Sequence, residues 1–212
     1  PGGFKQAVIN DAAKSGTYFF QKDYRTLDQQ GEWFFDSTNK KLQVVLQDTA
    51  VALHAAAIDT LLYTGNFSFI SISHLSFEGA NMAGIFNMGG GHIDVMNCSF
   101  QDIGGVAIHF RNTGDIIIDS VNTNNILSTA IEVASLKNEN ATVKNCHIKN
   151  TGLLLGMGSY YDPVEYQAVA VRVSSNVLIE NNFIDSSGLS GIHFQGSNAL
   201  VQHNYINHYC LV

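Results

Sequence analysis

A short strand-like phrase returns along this chain with an apolar frame around a variable centre. The four copies are "VAIHFRN" at 106–112, "TAIEVAS" at 129–135, "VAVRVSS" at 169–175 and "SGIHFQG" at 190–196. Self-similarity of this kind indicates a repeat architecture, in which each unit buries its apolar side against the units on either side. The frame therefore predicts the fold, and any chemistry belongs to the variable centres.

Aligning the apolar and small residues extends the repeat over six coils of one solenoid. Equivalent positions are separated by 23, 23, 25, 36 and 22 residues and are Leu75, Cys98, Val121, Cys146, Asn182 and Asn204. Each coil alternates short apolar runs with Asn, Ser and Gly, which predicts three short strands joined by tight bends. Coils of about 22–25 residues, stacked about 4.8 Å apart, bury a continuous interior. The sequence thus predicts an all-β chain folded as a parallel β-helix.

The phrase "NVLIENNFIDSSGLSGIHF", residues 176–194, resembles the repeat of pectate-lyase-like right-handed parallel β-helix proteins. The resemblance covers roughly residues 65–212. It implies a right-handed coil, activity on carbohydrate, a saccharide groove on one strand face with the loops that precede it, and a secreted, periplasmic or cell-surface location. It does not select an activity, because lyases, hydrolases, epimerases and phage tailspikes share this scaffold.

The predicted organisation has two parts. Residues 1–64 form an N-terminal cap, with a β-hairpin over Gly31–Leu46 around the turn "DSTNKK" and an irregular first coil at 51–64. Residues 65–212 form the coils. The final residues "NHYCLV" fall inside a coil, so we expect the chain to be truncated at its C-terminus and to belong to a longer protein.

Composition narrows the classes of partner. A net charge of −7 with 14% charged residues disfavours nucleic acid and anionic lipid, and the sequence contains no apolar run long enough for a membrane span. The predicted partner is a polysaccharide or oligosaccharide. Cys98 and Cys146 would lie about 9.6 Å apart, beyond disulfide reach, and no metal-ligand spacing occurs, so we expect buried thiols and no metal or cofactor. Calcium would enter only in a lyase, with Glu132 helping to hold it.

The geometry of the repeated strand predicts two outer columns. Ile108, Ile131, Val171 and Ile192 are expected to stack inside, one coil apart. The first predicted outer column is Phe86, His109, Glu132, Arg172 and His193. The second is Met88, Arg111, Ala134, Ser174 and Gln195. The alternative to a site is an ordinary surface, on which Glu132 and Arg172 form a simple cross-strand ion pair.

The long step of 36 residues predicts an insertion before the strand that carries Arg172. The inserted stretch is "LLLGMGSYYDPVEYQ" at 153–167, and its Tyr160, Tyr161, Asp162, Glu165 and Tyr166 are expected to fold over the outer columns. Tyrosines beside carboxylates suit a carbohydrate, whose C–H faces stack on rings while its hydroxyls need hydrogen-bond partners. The alternative is a loop that only packs on the solenoid.

Three functions remain open from the sequence. The favoured one is a glycoside hydrolase with Glu132 as one carboxylate and Asp162 or Glu165 as proton donor. The second is a polysaccharide lyase or epimerase with His109, His193 or Arg172 in the catalytic role, which the acidic balance and the single outer carboxylate disfavour. The third is a non-catalytic glycan-binding or structural module. The predicted substrate-binding residues are Phe86, Arg111, Tyr160, Tyr161, Tyr166 and Gln195.

Overall fold

The computed structural model of the chain describes residues 23–47, 52–135, 140–154 and 166–212. The chain divides into two compact units, Pro1–Leu53 and His54–Val212. Among the described residues, no helix has the length and apolar character needed to cross a bilayer.

The first unit contains a 3₁₀ helix, Tyr24–Thr26, and an antiparallel hairpin of β1 (Trp33–Asp36) and β2 (Lys41–Val44). The Asp36 carboxylate closes the turn by accepting hydrogen bonds from the backbone N–H groups of Thr38 and Asn39. This side chain explains why "DSTNKK" turns the chain, since Asp bonds its own backbone two and three residues ahead. The predicted hairpin is confirmed.

The second unit is a parallel β-solenoid of three six-stranded sheets, and each coil contributes one strand to every sheet. Sheet 1 consists of β3 (Thr60–Gly65), β6 (Ala83–Met88), β9 (Val106–Arg111), β12 (Ile131–Ala134), β15 (Val169–Ser175) and β18 (Ile192–Ser197). Sheet 2 consists of β4 (Ile70–Ser73), β7 (Gly91–Met96), β10 (Gly114–Asp119), β13 (Ala141–Lys144), β16 (Val177–Glu180) and β19 (Leu200–Gln202). Sheet 3 consists of β5 (Ser76–Ala80), β8 (Ser99–Ile103), β11 (Asn122–Ile126), β14 (His147–Thr151), β17 (Phe183–Ser187) and β20 (Tyr205–Asn207). The predicted parallel β-helix is confirmed, and its coils begin with β3.

The interior of the solenoid is a stack of branched and aromatic side chains. Ile85, Ile93, Ile108 and Phe110 are fully buried, and the rings of Phe77 and Phe100 stack 4.8 Å apart. β-Branched residues fit this setting because their stiff side chains pack well on a pleated surface. Inward residues meet their equivalents in the neighbouring coils, so the core is continuous along the axis.

The bend between sheets 2 and 3 uses one left-handed residue in every coil. These residues have φ between 53° and 59° and are His74, Asn97, Ser120, Asn145, Asn181 and His203. A left-handed conformation at a residue other than glycine is costly, and Asn tolerates it better than most. This requirement explains the recurrent Asn that separates the apolar runs.

The predicted column that begins at Leu75 is confirmed by the backbone hydrogen bonds between successive coils. Cys98 and Cys146 occupy it as free, buried thiols, and burial raises the pKa of Cys146 to about 12. Farther along, Asn182 donates to the Val143 carbonyl and to the Asn204 side chain, which keeps a buried amide satisfied. The third thiol, Cys210, is free and exposed.

One predicted register in sheet 1 is wrong by two residues. Val169, not Val171, pairs with Ile131 and Ile192, and Val171 pairs with Val133 and Phe194. Arg172 therefore aligns with Ala134 and Gln195. Ala170, rather than Arg172, lies directly beside Glu132. A slip of two keeps every inward residue inward, so the period of two in the sequence cannot distinguish the registers.

Candidate functional site

The outer face of sheet 1 carries a charged cluster made by three neighbouring strands. His109 and Arg111 come from β9, Glu132 from β12 and Arg172 from β15, and we call these four residues the charged cluster. His109 pairs in register with Glu132, and Arg172 reaches Glu132 along a diagonal from the next strand. The prediction that His109 and Glu132 share one face is confirmed, and the register correction moves Arg172 to the second outer column.

Glu132 and His109 are buried, whereas the sequence predicts exposed positions for both. Their exposed fractions are 3% and 5%. The Glu132 carboxylate accepts a hydrogen bond from Arg172 Nη2, and its Oε2 lies 3.4 Å from His109 Nε2. A buried carboxylate needs such partners because its removal from water costs several kcal/mol of free energy. A well-placed cationic partner recovers about that amount.

His109 Nε2 has two competing neighbours. Arg111 Nε donates to it at 2.9 Å, which requires an unprotonated Nε2, while Glu132 Oε2 at 3.4 Å could pair only with a protonated one. One nitrogen cannot accept from the guanidinium and donate to the carboxylate at the same time. The proton state of His109 is therefore coupled to which of the two charged residues it bonds.

A stack of rings fixes the imidazole of His109. Its ring lies 4.9 Å from the ring of Phe86, which in turn lies 5.5 Å from the ring of Tyr63. Because Phe86 has a ring on either side along the axis, it presents its edge, rather than a face, to any ligand on sheet 1. Tyr63, which is 61% exposed, is not among the predicted residues, although it precedes Phe86 by one repeat.

Of the remaining predicted residues, Gln195 borders the charged cluster and His193 lies farther away. Gln195 pairs in register with Arg172 on the neighbouring strand β18, whereas His193 is separated from Glu132 by Ala170, two strand spacings or about 9.6 Å. Tyr166 is buried, with φ 73°, and lies at the base of the insertion. Tyr160, Tyr161, Asp162 and Glu165 lie outside the described residues.

The insertion occupies the connection from β14 in sheet 3 to β15 in sheet 1, and its two ends are in contact. A Cβ added to Gly152 would lie 2.5 Å from the Tyr166 Cα, and Gly152 has φ +65°. Gly188 of the following coil packs on the Gly152 carbonyl so closely that a side chain there has no room. Residues 155–165 lie outside the described residues, so the expectation that the insertion folds over the outer columns stays a prediction.

No group of three or more His, Cys, Asp or Glu side chains placed to hold a metal occurs in the described part of the chain. Glu132, which the sequence predicts would help to hold calcium in a lyase, contacts Arg172 and His109. The charged cluster contains an imidazole, a carboxylate and two guanidinium groups, each within reach of at least one other.

The fold agrees with the comparison to known families. A family model described as a right-handed β-helix region matches residues 29–163, which is more than half of the chain. The chain therefore belongs to the right-handed β-helix family, and its coils wind in the right-handed sense. No curated protein and no solved structure matches it.

Proposed function

We propose that this protein is a carbohydrate-active enzyme that acts on an acidic polysaccharide along the outer face of sheet 1. The observation that carries the proposal is the charged cluster, in which two guanidinium groups and an imidazole meet one carboxylate in a chain of net charge −7. A local surplus of cationic donors on an acidic protein suits an anionic group such as a uronate carboxylate. Apolar side chains of similar size would hold the strands together as well or better, which favours a functional reason for the cluster.

The chemistry that these residues support best is proton abstraction beside a carboxylate, as in a polysaccharide lyase or epimerase. A base takes the proton from the carbon next to the uronate carboxylate, and cationic donors stabilise the charge that develops. In a lyase, the electron pair forms a carbon–carbon double bond, the glycosidic carbon–oxygen bond breaks, and the leaving oxygen takes up a proton. In an epimerase, a proton returns to the same carbon from the opposite side.

The contacts suggest a role for each residue. His109 Nε2 is the base, since its contact with Arg111 requires the unprotonated form. Arg111, which is more exposed than His109, turns to the substrate carboxylate and so releases the Nε2 lone pair. Glu132, 3.4 Å from Nε2, then stabilises the imidazolium, and Arg172 keeps that carboxylate charged and in place.

Glycoside hydrolysis is the second candidate. It is favoured by the hydrogen bond and ion pair that Arg172 makes to the Glu132 carboxylate and by the insertion that precedes the Arg172 strand. Hydrolysis needs a second carboxylate about 5–10 Å from the first. His109 has no carboxylate and Glu132 is the only one in the charged cluster, so the proton donor would be Asp162 or Glu165.

A panel of uronate-containing and neutral polysaccharides tests the proposal. The purified protein is incubated with each polysaccharide, and reducing ends and the ultraviolet absorbance of unsaturated products are measured in parallel. Proton exchange at the uronate is followed in deuterated water. Elimination gives new reducing ends together with absorbance, epimerisation gives proton exchange alone, and hydrolysis gives reducing ends without absorbance. Binding without any product would refute an enzymatic role and leave a glycan-binding module.

A further inference from the structure

A trough crosses the outer face of sheet 3 over the first four coils, on a different sheet from the charged cluster. It encloses a volume of about 380 Å³. One row of its lining consists of short or flat polar side chains from successive strands, which are Ser76, Ser99, Asn122 and His147. The small serine side chains in the first two coils leave space above the sheet. Longer side chains two residues farther along the same strands form the border of that space.

The second row lies two residues farther along the same strands. Its members are polar and longer, and they are Glu78, Gln101, Asn124 and Lys149. Each coil thus places two hydrogen-bonding side chains at the trough, and four coils span three strand spacings, or roughly 14 Å. Glu78 and Lys149 stand at opposite ends and offset each other, while the groups between them are uncharged.

The polar groups of the trough are only partly satisfied by the protein. Ser76 and Ser99 share a hydrogen bond of 2.8 Å, Gln101 Nε2 donates to Asp102 at 3.2 Å, and Asn124 Oδ1 accepts from Asn150 at 2.9 Å. Within the described ranges, the side chains of Asn122, His147 and Lys149 have no protein hydrogen-bond partner. Donors and acceptors that face one open trough and do not bond each other remain free to bond a ligand.

Another set of stacked amides, elsewhere on the solenoid, shows that stacked polar side chains do not always lack hydrogen-bond partners. At the corner between sheets 1 and 2, Asn198 donates to Asn176, Asn176 to Asn140, and Asn140 to the Asp115 carboxylate, at 3.3, 2.8 and 2.6 Å. We call these four residues the corner ladder. Its amides bond head to tail, whereas those of the trough do not.

Aromatic rings close one end of the trough. The ring of Phe183 lies 5.6 Å from His147 and 5.1 Å from Tyr205, and Lys149 Nζ lies 5.6 Å from its centroid. His147 is the last ring of this stack on the side of the trough, because the next residue in the row is Asn122. An apolar ring face beside free hydrogen-bonding groups is the combination that sugar rings use.

We propose that this trough binds a neutral oligosaccharide, two or three sugar units lying parallel to the solenoid axis. Hydroxyl groups of successive sugars would pair with Gln101, Asn122 and Asn124, and a terminal sugar would contact His147. The balanced charges at the two ends disfavour a polyanion or a polycation, since either would place like charges together. This is a second, non-catalytic site, and it does not depend on the chemistry proposed for sheet 1.

The test uses the full chain and three probes: cellohexaose, maltohexaose and mannohexaose. Isotope-labelled protein is titrated with each probe while the backbone amide signals are followed. Ser99→Phe fills the trough at an outward position, Ser71→Phe places the same side chain on the outer face of sheet 2 as a matched control, and His109→Gln reports on sheet 1.

We expect shifts at residues 76–78, 99–101 and 122–124 with at least one probe. Ser99→Phe should weaken binding at least tenfold, while Ser71→Phe and His109→Gln should leave it unchanged. The proposal is overturned if no probe binds, if the shifts map to sheet 1, if Ser99→Phe has no effect, or if the same residues respond only to protein concentration, which would indicate a second copy in the trough. Trough binding by a protein that gives no product in the polysaccharide panel would refute the proposed function and leave the trough proposal standing.

Discussion

The outer faces of sheets 1 and 3 have the same backbone and the same strand spacing, yet they differ in how their side chains are satisfied. On sheet 1, Arg111, His109, Glu132 and Arg172 bond one another, and Glu132 is withdrawn from water. On sheet 3, half of the eight polar side chains in the two rows of the trough have no hydrogen bond to the described protein, namely Glu78, Asn122, His147 and Lys149. The solenoid therefore fixes where side chains stand, while their length and charge decide whether a face becomes a preorganised cluster or an open groove.

This difference bears on what each face can do. Glu132 and Arg172, which are paired before a ligand arrives, are suited to stabilise charge in a reaction, since this pair needs little reorganisation. An open row of uncharged hydrogen-bonding groups suits binding of an extended polar chain, whose units repeat as the coils do. Substitutions in the charged cluster should therefore affect turnover and stability far more than equivalent changes elsewhere on the solenoid.

The largest expected effect is on turnover. His109→Gln keeps a polar side chain but removes the base, so turnover on the substrate found in the polysaccharide panel should fall by about 10²–10⁴. Steady-state kinetics measure the loss. Glu180→Gln, a partly exposed carboxylate on sheet 2, is the control and should leave turnover unchanged. Full activity of His109→Gln would move the catalytic role to Glu132 or to the insertion.

The second prediction compares a buried ion pair with a partly exposed one. Arg172→Ala leaves the Glu132 carboxylate buried beside a vacancy, which should cost about 3–5 kcal/mol in the free energy of unfolding. Lys144→Ala removes the 3.5 Å ion pair between Lys144, which is 34% exposed, and Asp119, which is 25% exposed. Its loss should lower the free energy of unfolding by less than about 1 kcal/mol. Urea denaturation of both variants gives the two values. Equal losses would mean that burial does not distinguish the pairs.

The third prediction compares the two ring stacks. Phe86→Leu removes the ring beside His109, and Phe183→Leu removes the ring beside His147. Both should lose roughly 0.5–1.5 kcal/mol of stability, as expected for an aromatic pair. Only Phe86→Leu should also lower turnover, because it loosens the imidazole that acts as base. A similar kinetic effect of both variants would argue against a specific role for the sheet 1 stack.

The smallest expected effect is the pH dependence of the stability that the Asp119–Lys144 pair contributes. Burial alone would raise the pKa of Asp119, but hydrogen bonds from Asn145 and Ser120, together with the charge of Lys144, outweigh it and lower that pKa below 3.8. A carboxyl with a lowered folded pKa adds stability above its unfolded pKa and loses it as the pH falls through the folded value. The stability difference between the parent and Asp119→Asn should therefore shrink below about pH 4. A difference that stays constant into acid would show that Asp119 acts through its shape rather than its charge.

Most of the fold could be predicted from the sequence because each coil repeats the same physical demands. The inward positions need apolar residues, and the bend between sheets 2 and 3 needs a residue that tolerates a left-handed backbone, which Asn97, Asn145 and Asn181 satisfy. The two-residue register error arises at Val169–Val173, where either register buries valines and only the neighbouring coils decide.

The site could be predicted only in part. The pairing of His109 with Glu132 follows from a constant repeat, but their burial does not, because it depends on how Arg111 and Arg172 fold back over them. The trough escapes prediction for a related reason. Its rows are visible in the sequence as Ser76, Ser99 and Asn122, yet the space above them depends on side-chain lengths in adjacent coils, which no single repeat reveals.

The contact between the two ends of the insertion has a consequence for how such a protein can diversify. Because Gly152 and Tyr166 touch, the chain between them begins and ends at nearly the same point of the coil stack. The entropy cost of closing a chain segment between fixed, adjacent ends grows only slowly with its length. The stem formed by Gly152 and Tyr166 should therefore accept a segment of another length and sequence while the coils beneath keep their register.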